Sequence, residues 1–169
     1  TLADQGSGPI ELTNGMITLE GTIEEQQQWG ENVVGLLPGR GELAEQAIVV
    51  GGHLDHLGKG DFGSRRGAGQ LHPGADDNAS GVAAMMQIAL KIRQAIDNGE
   101  LTLKHDVIFG GWSGEELGIL GSNHHVDKRL PHPHASLNDQ LIAYLNMDMI
   151  GRFRGKVVLQ GTGSSSEWL

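Results

Sequence analysis

The chain has 169 residues, 38% of them hydrophobic and 20% charged, which suits one globular domain with a sizeable core and excludes a disordered chain. Its net charge is −9, from 21 acidic and 12 basic residues. With no cationic cluster beyond Arg65-Arg66 and Lys128-Arg129, a nucleic-acid footprint is absent and an anionic membrane surface is a poor partner. There is no cysteine, so thiolate zinc sites, disulfides and a cysteine nucleophile are ruled out, and no apolar run is long enough to span a membrane.

Residues 1–15 are polar, with Gly, Pro and Asn, and read as a loose lead-in to a single domain covering 1–169. The chain starts at Thr1 without Met and reads as a processed or excised piece. Residues 16–23 largely alternate apolar and polar, the pattern of a half-exposed strand. Residues 32–37 form a second strand closed by the turn Pro38-Gly39-Arg40-Gly41, and the two are expected to pair as an antiparallel ribbon. The run Ala47-Ile48-Val49-Val50-Gly51-Gly52 is continuously apolar and β-branched, as a strand buried on both faces should be. A Gly-rich loop over 58–74 follows, with no hydrophobic period; long loops inside compact domains are usually functional.

A helix is expected from about Ser80 to Asn98. Val82, Met85, Ala89, Ile92 and Ile96 form its apolar stripe, Ser80 or Asn78 can cap its start, and Asn98-Gly99 stops it. Residues 106–112 read as another buried strand. A helix from Leu117 to about Lys128 is weakened by Gly118 and Gly121. Residues 131–139 form a loop, 141–147 a strand ending at Asp148, and 156–159 a last strand before the small residues 161–166. Strands alternating with helices predict an α/β fold, a three-layer α/β/α sandwich around a mixed, largely parallel sheet.

Ligands of such sheets bind outside the carboxyl ends of the strands. His53 and Asp55, Glu115 and Glu116, and Asp148 all fall there, and the loop Gly74-Ala75-Asp76-Asp77-Asn78-Ala79-Ser80-Gly81 can reach the same edge. Zinc takes imidazole nitrogen and carboxylate oxygen, and a carboxylate can bridge two ions about 3.5–4 Å apart. The sequence offers His53, Asp76, Glu116 and Asp148 as ligands, with Asp55 and Glu115 as supporting or catalytic groups. Each motif alone has a plainer reading: an acidic pair before a helix is commonly a solvated first turn, and an Asp at a strand end a turn former. Their joint occurrence at strand ends favours a metal site. His56 reads as a neighbour of the site or a structural residue. Histidines 124, 125, 132 and 134 read as surface residues, and Trp112, Met147, Met149 and Ile150 as core more than pocket wall.

The segments NVVGLLPG at 32–39, VVGGHLDHLG at 49–58, GADDNASG at 74–81, GEELGILGS at 114–122, NMDMIGR at 146–152 and GTGSSSEW at 161–168 resemble, in order, the M28 family of zinc aminopeptidases. The resemblance implies two Zn2+ ions in a complete site. His53 would bind one ion, Asp76 would bridge both, Glu116 would bind one and Asp148 the other. Glu115 would be the general base and Asp55 would orient the His53 imidazole. It also implies a cis peptide between Asp76 and Asp77, peptide substrates with a free N-terminus, and a secreted or periplasmic location. The family has a final zinc-binding His well after the position of Asp148, whereas the last histidine here is His134, so the chain reads as a truncated catalytic domain. Three alternatives stay open: a glutaminyl-cyclase-like acyltransferase with a single zinc, a carboxypeptidase, and a non-catalytic binding module.

Overall fold

The computed structural model describes residues 15, 18–22, 27–128 and 140–162. Its centre is a four-stranded sheet in the order β1-β3-β2-β4, formed by β1 (Val33–Leu37), β2 (Ala47–His53), β3 (Asp106–Trp112) and β4 (Leu141–Asn146). β2 runs parallel to both β3 and β4, while β1 pairs antiparallel with β3. The sheet is thus mixed and mostly parallel, with helices α1 (Gly81–Asp97) and α2 (Leu120–Lys128) in the connections.

The two faces of the sheet follow from strand alternation. On one face Val50, Val107 and Phe109 pack with Met85 of α1, and Val82, Ile88, Ala89 and Ile92 extend the contact along the helix. Four of the five stripe residues expected from the sequence pack here, Ile88 is added, and Ile96 is not part of the cluster. On the other face Ala47, Val49, Ile108 and Trp112 form a second cluster, joined by Leu141. The Trp112 indole N–H donates to the Tyr144 hydroxyl at 2.9 Å, which donates in turn to Asn146 Oδ1 at 2.9 Å. The His125 ring of α2 lies against Trp112, with centroids 4.9 Å apart. One aromatic residue therefore joins β3, β4 and α2. Among the described residues no helix is long and apolar enough to cross a membrane.

Several elements differ from their sequence signals. Residues 18–22 are not strand, and β1 takes β3 as its antiparallel partner, so the described residues hold no N-terminal ribbon. Met16, Ile17 and 23–26 lie outside the described residues, as do the loop 131–139, with His132 and His134, and residues 163–169. Residues 156–159 are exposed and not strand. α2 starts at Leu120 because the backbone is left-handed at Gly118 (φ 113°) and Ile119 (φ 61°).

Two measurements test this packing. The Trp112 indole lies over Gly110, where an added Cβ would collide with it. Gly110→Ala is expected to lower stability by about 3 kcal/mol, the upper range for overpacking, read from the urea midpoint. Burial, reinforced by His124, holds the His125 imidazole below its ordinary value. The unfolded chain then binds this proton at higher pH than the folded one. Its effect on stability is nil above the ordinary imidazole pKa and unfavourable as pH falls below it. His125→Phe is expected to shrink the loss of Tm between about pH 7 and about pH 5; an unchanged loss would show that His125 is not buried neutral.

Candidate metal centre

The carboxyl ends of β2, β3 and β4 and the turn before α1 converge on one edge of the sheet. His53, the last residue of β2, is only 3% exposed. Its Nδ1–H donates to the Asp55 backbone carbonyl at 2.9 Å, which leaves the Nε2 lone pair free to face outward. That Nε2 faces Asp77 Oδ1 at 3.1 Å, Asp148 Oδ1 at 3.7 Å and Glu115 Oε2 at 4.0 Å. His56, three residues on, has its Nδ1 at 2.5 Å from Glu116 Oε1 and 3.7 Å from Asp77 Oδ2.

Asp77 therefore turns one carboxylate oxygen towards each imidazole. Two donor groups share it: His53, Asp77 and Asp148, and His56, Asp77 and Glu116, each with its ligand atoms within 4.8 Å of one another. Each offers one imidazole nitrogen and two carboxylate oxygens, a donor set that suits zinc and similar ions. Bond lengths near 2.0–2.2 Å put tetrahedral ligands about 3.3 Å apart. The observed 3.1 and 3.7 Å in the first group, and 2.5 and 3.7 Å in the second, bracket that spacing. The residues fit a pair of cations.

Asp76 does not join this cluster. Its Oδ1 accepts the Gly151 N–H at 2.9 Å and its Oδ2 accepts Arg152 Nε at 2.5 Å. The Arg152 contacts hold its carboxyl below the usual carboxylate range. The extended backbone at Asp77 (φ −107°, ψ 95°) separates the directions of neighbouring side chains, so Asp77 rather than Asp76 faces the imidazoles. The cis peptide also lies one bond later than expected, between Asp77 and Asn78.

Asp55 departs from its expected role as well. Its carboxylate is 3.8 Å from His53 Nδ1, beyond hydrogen-bond range, and the backbone carbonyl orients the ring instead. The carboxylate accepts the backbone N–H groups of Glu115 at 3.1 Å and Glu116 at 3.2 Å, so Asp55 fixes the acidic pair against the end of β2. Glu116 and Asp148 fall in different donor groups.

Sequence reasoning missed Asp77, the placement of His56, and the residues that hold the turn. Asn78 is 2% exposed and its amide donates to the Met147 carbonyl at 2.9 Å. Its Oδ1 accepts Gly81 N–H at 3.1 Å and Met149 N–H at 3.4 Å. Asn78 is thus one of the two cap residues considered, but it also ties the turn to the loop carrying Asp148. Ser80, the other, donates to the Asp76 carbonyl at 2.6 Å. Gly81 is required by this approach, since a Cβ there would collide with the Met147 carbonyl and Asn78.

The electrostatics follow from crowding. Burial opposes charge on His53, but the Asp55 carbonyl and the carboxylates of Asp148, Glu115 and Asp77 outweigh it and raise the imidazole pKa. Burial raises Glu115; His53 pulls it down, while Glu116, Asp148 and Asp55 push it further up.

Comparison with known proteins agrees with this chemistry. The sequence profile of peptidase family M28 matches residues 32–169. An aminopeptidase of Pseudomonas aeruginosa is 33% identical over 118 residues, covering 69% of this chain and 18% of that protein. Leupeptin-inactivating enzyme 1 of Streptomyces exfoliatus is 32% identical over 148 residues, 88% of this chain and 28% of that protein. Leucine aminopeptidase 2 of Trichophyton equinum is 30% identical over 149 residues, 86% and 23% respectively. The chain spans less than a third of the length of these relatives. With a family match across most of its length, and with paired imidazole–carboxylate groups at the sheet edge, the chain belongs to peptidase family M28.

Proposed function

We propose that this chain carries the catalytic centre of a zinc-dependent aminopeptidase that hydrolyses the first peptide bond of substrates with a free N-terminus. The observation that carries the reading is the Asp77 carboxylate, with one oxygen towards each of two imidazole–carboxylate groups and Glu115 beside the first. The names of the relatives, aminopeptidases from bacteria and fungi, support the substrate class.

His53, Asp77 and Asp148 would hold one ion, and Asp77 and Glu116 the other. Bound zinc supplies Lewis acidity, polarising the scissile carbonyl and lowering the pKa of water towards neutrality. The chain's own residues do the rest. Glu115 stands 4.0 Å from His53 Nε2, close enough to accept a proton from an attacking water and to return it to the leaving amine. Its raised pKa is the direction such a shuttle needs. Asp55 holds the backbone of Glu115 and Glu116 still through both N–H groups. The substrate's ammonium group is drawn to a site rich in carboxylates, which favours peptides with a free amine. Asp148 is 41% exposed at its side chain, so the centre opens to solvent and substrate on that side.

Zinc content and hydrolysis of an aminoacyl-anilide test the reading together. Glu115→Gln is expected to keep its zinc and to lose about 10²–10⁴-fold in kcat. Asp77→Asn is expected to lose zinc, whereas Asp76→Asn keeps it and only loosens the loop held by Arg152. Zinc retained in Asp77→Asn, or lost in Asp76→Asn alone, would refute the assignment of the shared ligand. Dialysis against a chelator should abolish hydrolysis and zinc return should restore it; hydrolysis that survives chelation would sink the metallopeptidase reading.

A further inference from the structure

We propose that His56 is a positioning residue: its Nδ1–H holds one oxygen of Glu116, which leaves the other oxygen to take the ion shared with Asp77. The inference rests on the zinc reading of the same centre. His56 Nδ1 lies 2.5 Å from Glu116 Oε1 and 3.7 Å from Asp77 Oδ2. The first is a hydrogen-bond distance and the second is not. The first is also shorter than the ~3.3 Å that two ligands of one tetrahedral ion keep between them, so the pair is spaced as donor and acceptor. An ionised carboxylate only accepts, which puts the proton on Nδ1. The two histidines therefore have different tasks. His53 spends its Nδ1–H on the Asp55 carbonyl and turns Nε2 to the carboxylates of Asp77 and Asp148. His56 spends its Nδ1–H on a carboxylate.

Glu116 needs such a tie. Asp55 holds only its backbone N–H, at 3.2 Å, and a glutamate side chain has much rotamer freedom beyond that anchor. Among the described residues the His56 imidazole is the group that hydrogen-bonds this carboxylate. His56 is itself held from behind. Gly74 adopts φ 64°, and a Cβ there would lie 2.9 Å from the His56 Cβ and 2.9 Å from the Asp77 carbonyl, so only a glycine lets the loop return this closely. The His72 ring meets the His56 ring edge-on, with centroids 6.1 Å apart and planes at 63°. His72 is fixed in turn: its backbone N–H donates to the Gly58 carbonyl at 2.8 Å, and its Nε2 pairs with Ser64 Oγ at 2.9 Å. The Gly-rich loop over 58–74 thus closes on itself, and its closing residues back the imidazole. The loop has a task at the centre: it sets a ring that sets a ligand.

Two variants separate the donor from the ring. Asparagine places its amide nitrogen where histidine has Nδ1, so His56→Asn keeps the donor and loses the ring, whereas His56→Phe keeps a ring and loses the donor. Zinc is titrated against a competing chelator, with Glu116→Ala beside the variants to identify the ion that Glu116 holds. In His56→Phe that affinity is expected to fall about 10–100-fold, the effect of removing the partner behind a metal ligand, and His56→Asn should bind as the wild type does. In the wild-type 169-residue chain labelled with ¹⁵N-imidazole, His56 Nδ1 should keep its proton as zinc saturates, while His53 binds through Nε2. A His56 Nδ1 that gives up its proton to zinc would overturn the proposal. So would His56→Asn that binds as weakly as His56→Phe, or His56→Phe that binds as the wild type does. In each of these cases a zinc-bound His53 leaves the zinc reading standing. If His53 does not respond to zinc, the reading and the proposal fall together. The wild-type spectrum is read even if a variant fails to fold.

Discussion

The structure turns on a buried amide. Asn78 sits almost wholly out of solvent and is satisfied on both sides, donating to the Met147 carbonyl and accepting from Gly81 and Met149. A buried amide left unpaired would cost about 1–3 kcal/mol, so the turn before α1 and the loop after β4 are held in one relative position. Asp77 precedes Asn78 and Asp148 follows Met147. Fixing the amide therefore fixes two carboxylates that are 71 residues apart in the chain and that both face His53 Nε2. Asp76 adds a second tie between the same segments through Gly151 and Arg152. Three consecutive residues thus divide the work: the outer two hold the loops and the middle one faces the imidazoles.

A corresponding tie joins β2 to the loop after β3. Asp55 accepts two backbone N–H groups and so sets the start of the Glu115-Glu116 turn. Its carbonyl simultaneously selects the His53 tautomer. One residue thereby orients an imidazole and places an acidic pair, with its side chain spent on backbone N–H groups. The parallel register makes this possible: His53 lies opposite Trp112, so the chain leaves both strands at the same height and the two loops meet.

The sheet was legible because its central strands are short, continuously apolar runs, and such runs have few alternatives to a parallel sheet covered on both faces. The position of the site at the carboxyl edge followed from topology. What was not legible depends on long-range pairing or on local backbone direction. β1 is one edge strand whose partner lies 70 to 78 residues away, and alternation alone names no partner. The run 156–159, apolar over Val157, Val158 and Leu159, is strand-like in composition yet remains exposed. Asp76 and Asp77 are identical in type and adjacent, so only the dihedral angles of the turn separate the residue that ties loops from the one that faces the imidazoles. His56 was read as a neighbour because its orientation is set by the return of the loop at Gly74, not by its spacing from His53.

The same crowding that makes the centre a candidate for cations also costs the fold electrostatic energy. Asp77, Asp148, Glu115 and Glu116 lie around two imidazoles, and like charges this close repel. The crowding shifts both proton equilibria: the pKa values of His53 and Glu115 are raised, although burial alone would drive the imidazole the other way. A divalent cation would relieve the same repulsion and would compete with the proton for the His53 Nε2 lone pair. The ties made by Asn78, Asp55 and Asp76 all use backbone N–H or C=O groups or Arg152, none of which the cation needs. The scaffold that gathers the carboxylates is therefore separate from the groups that would hold the ion.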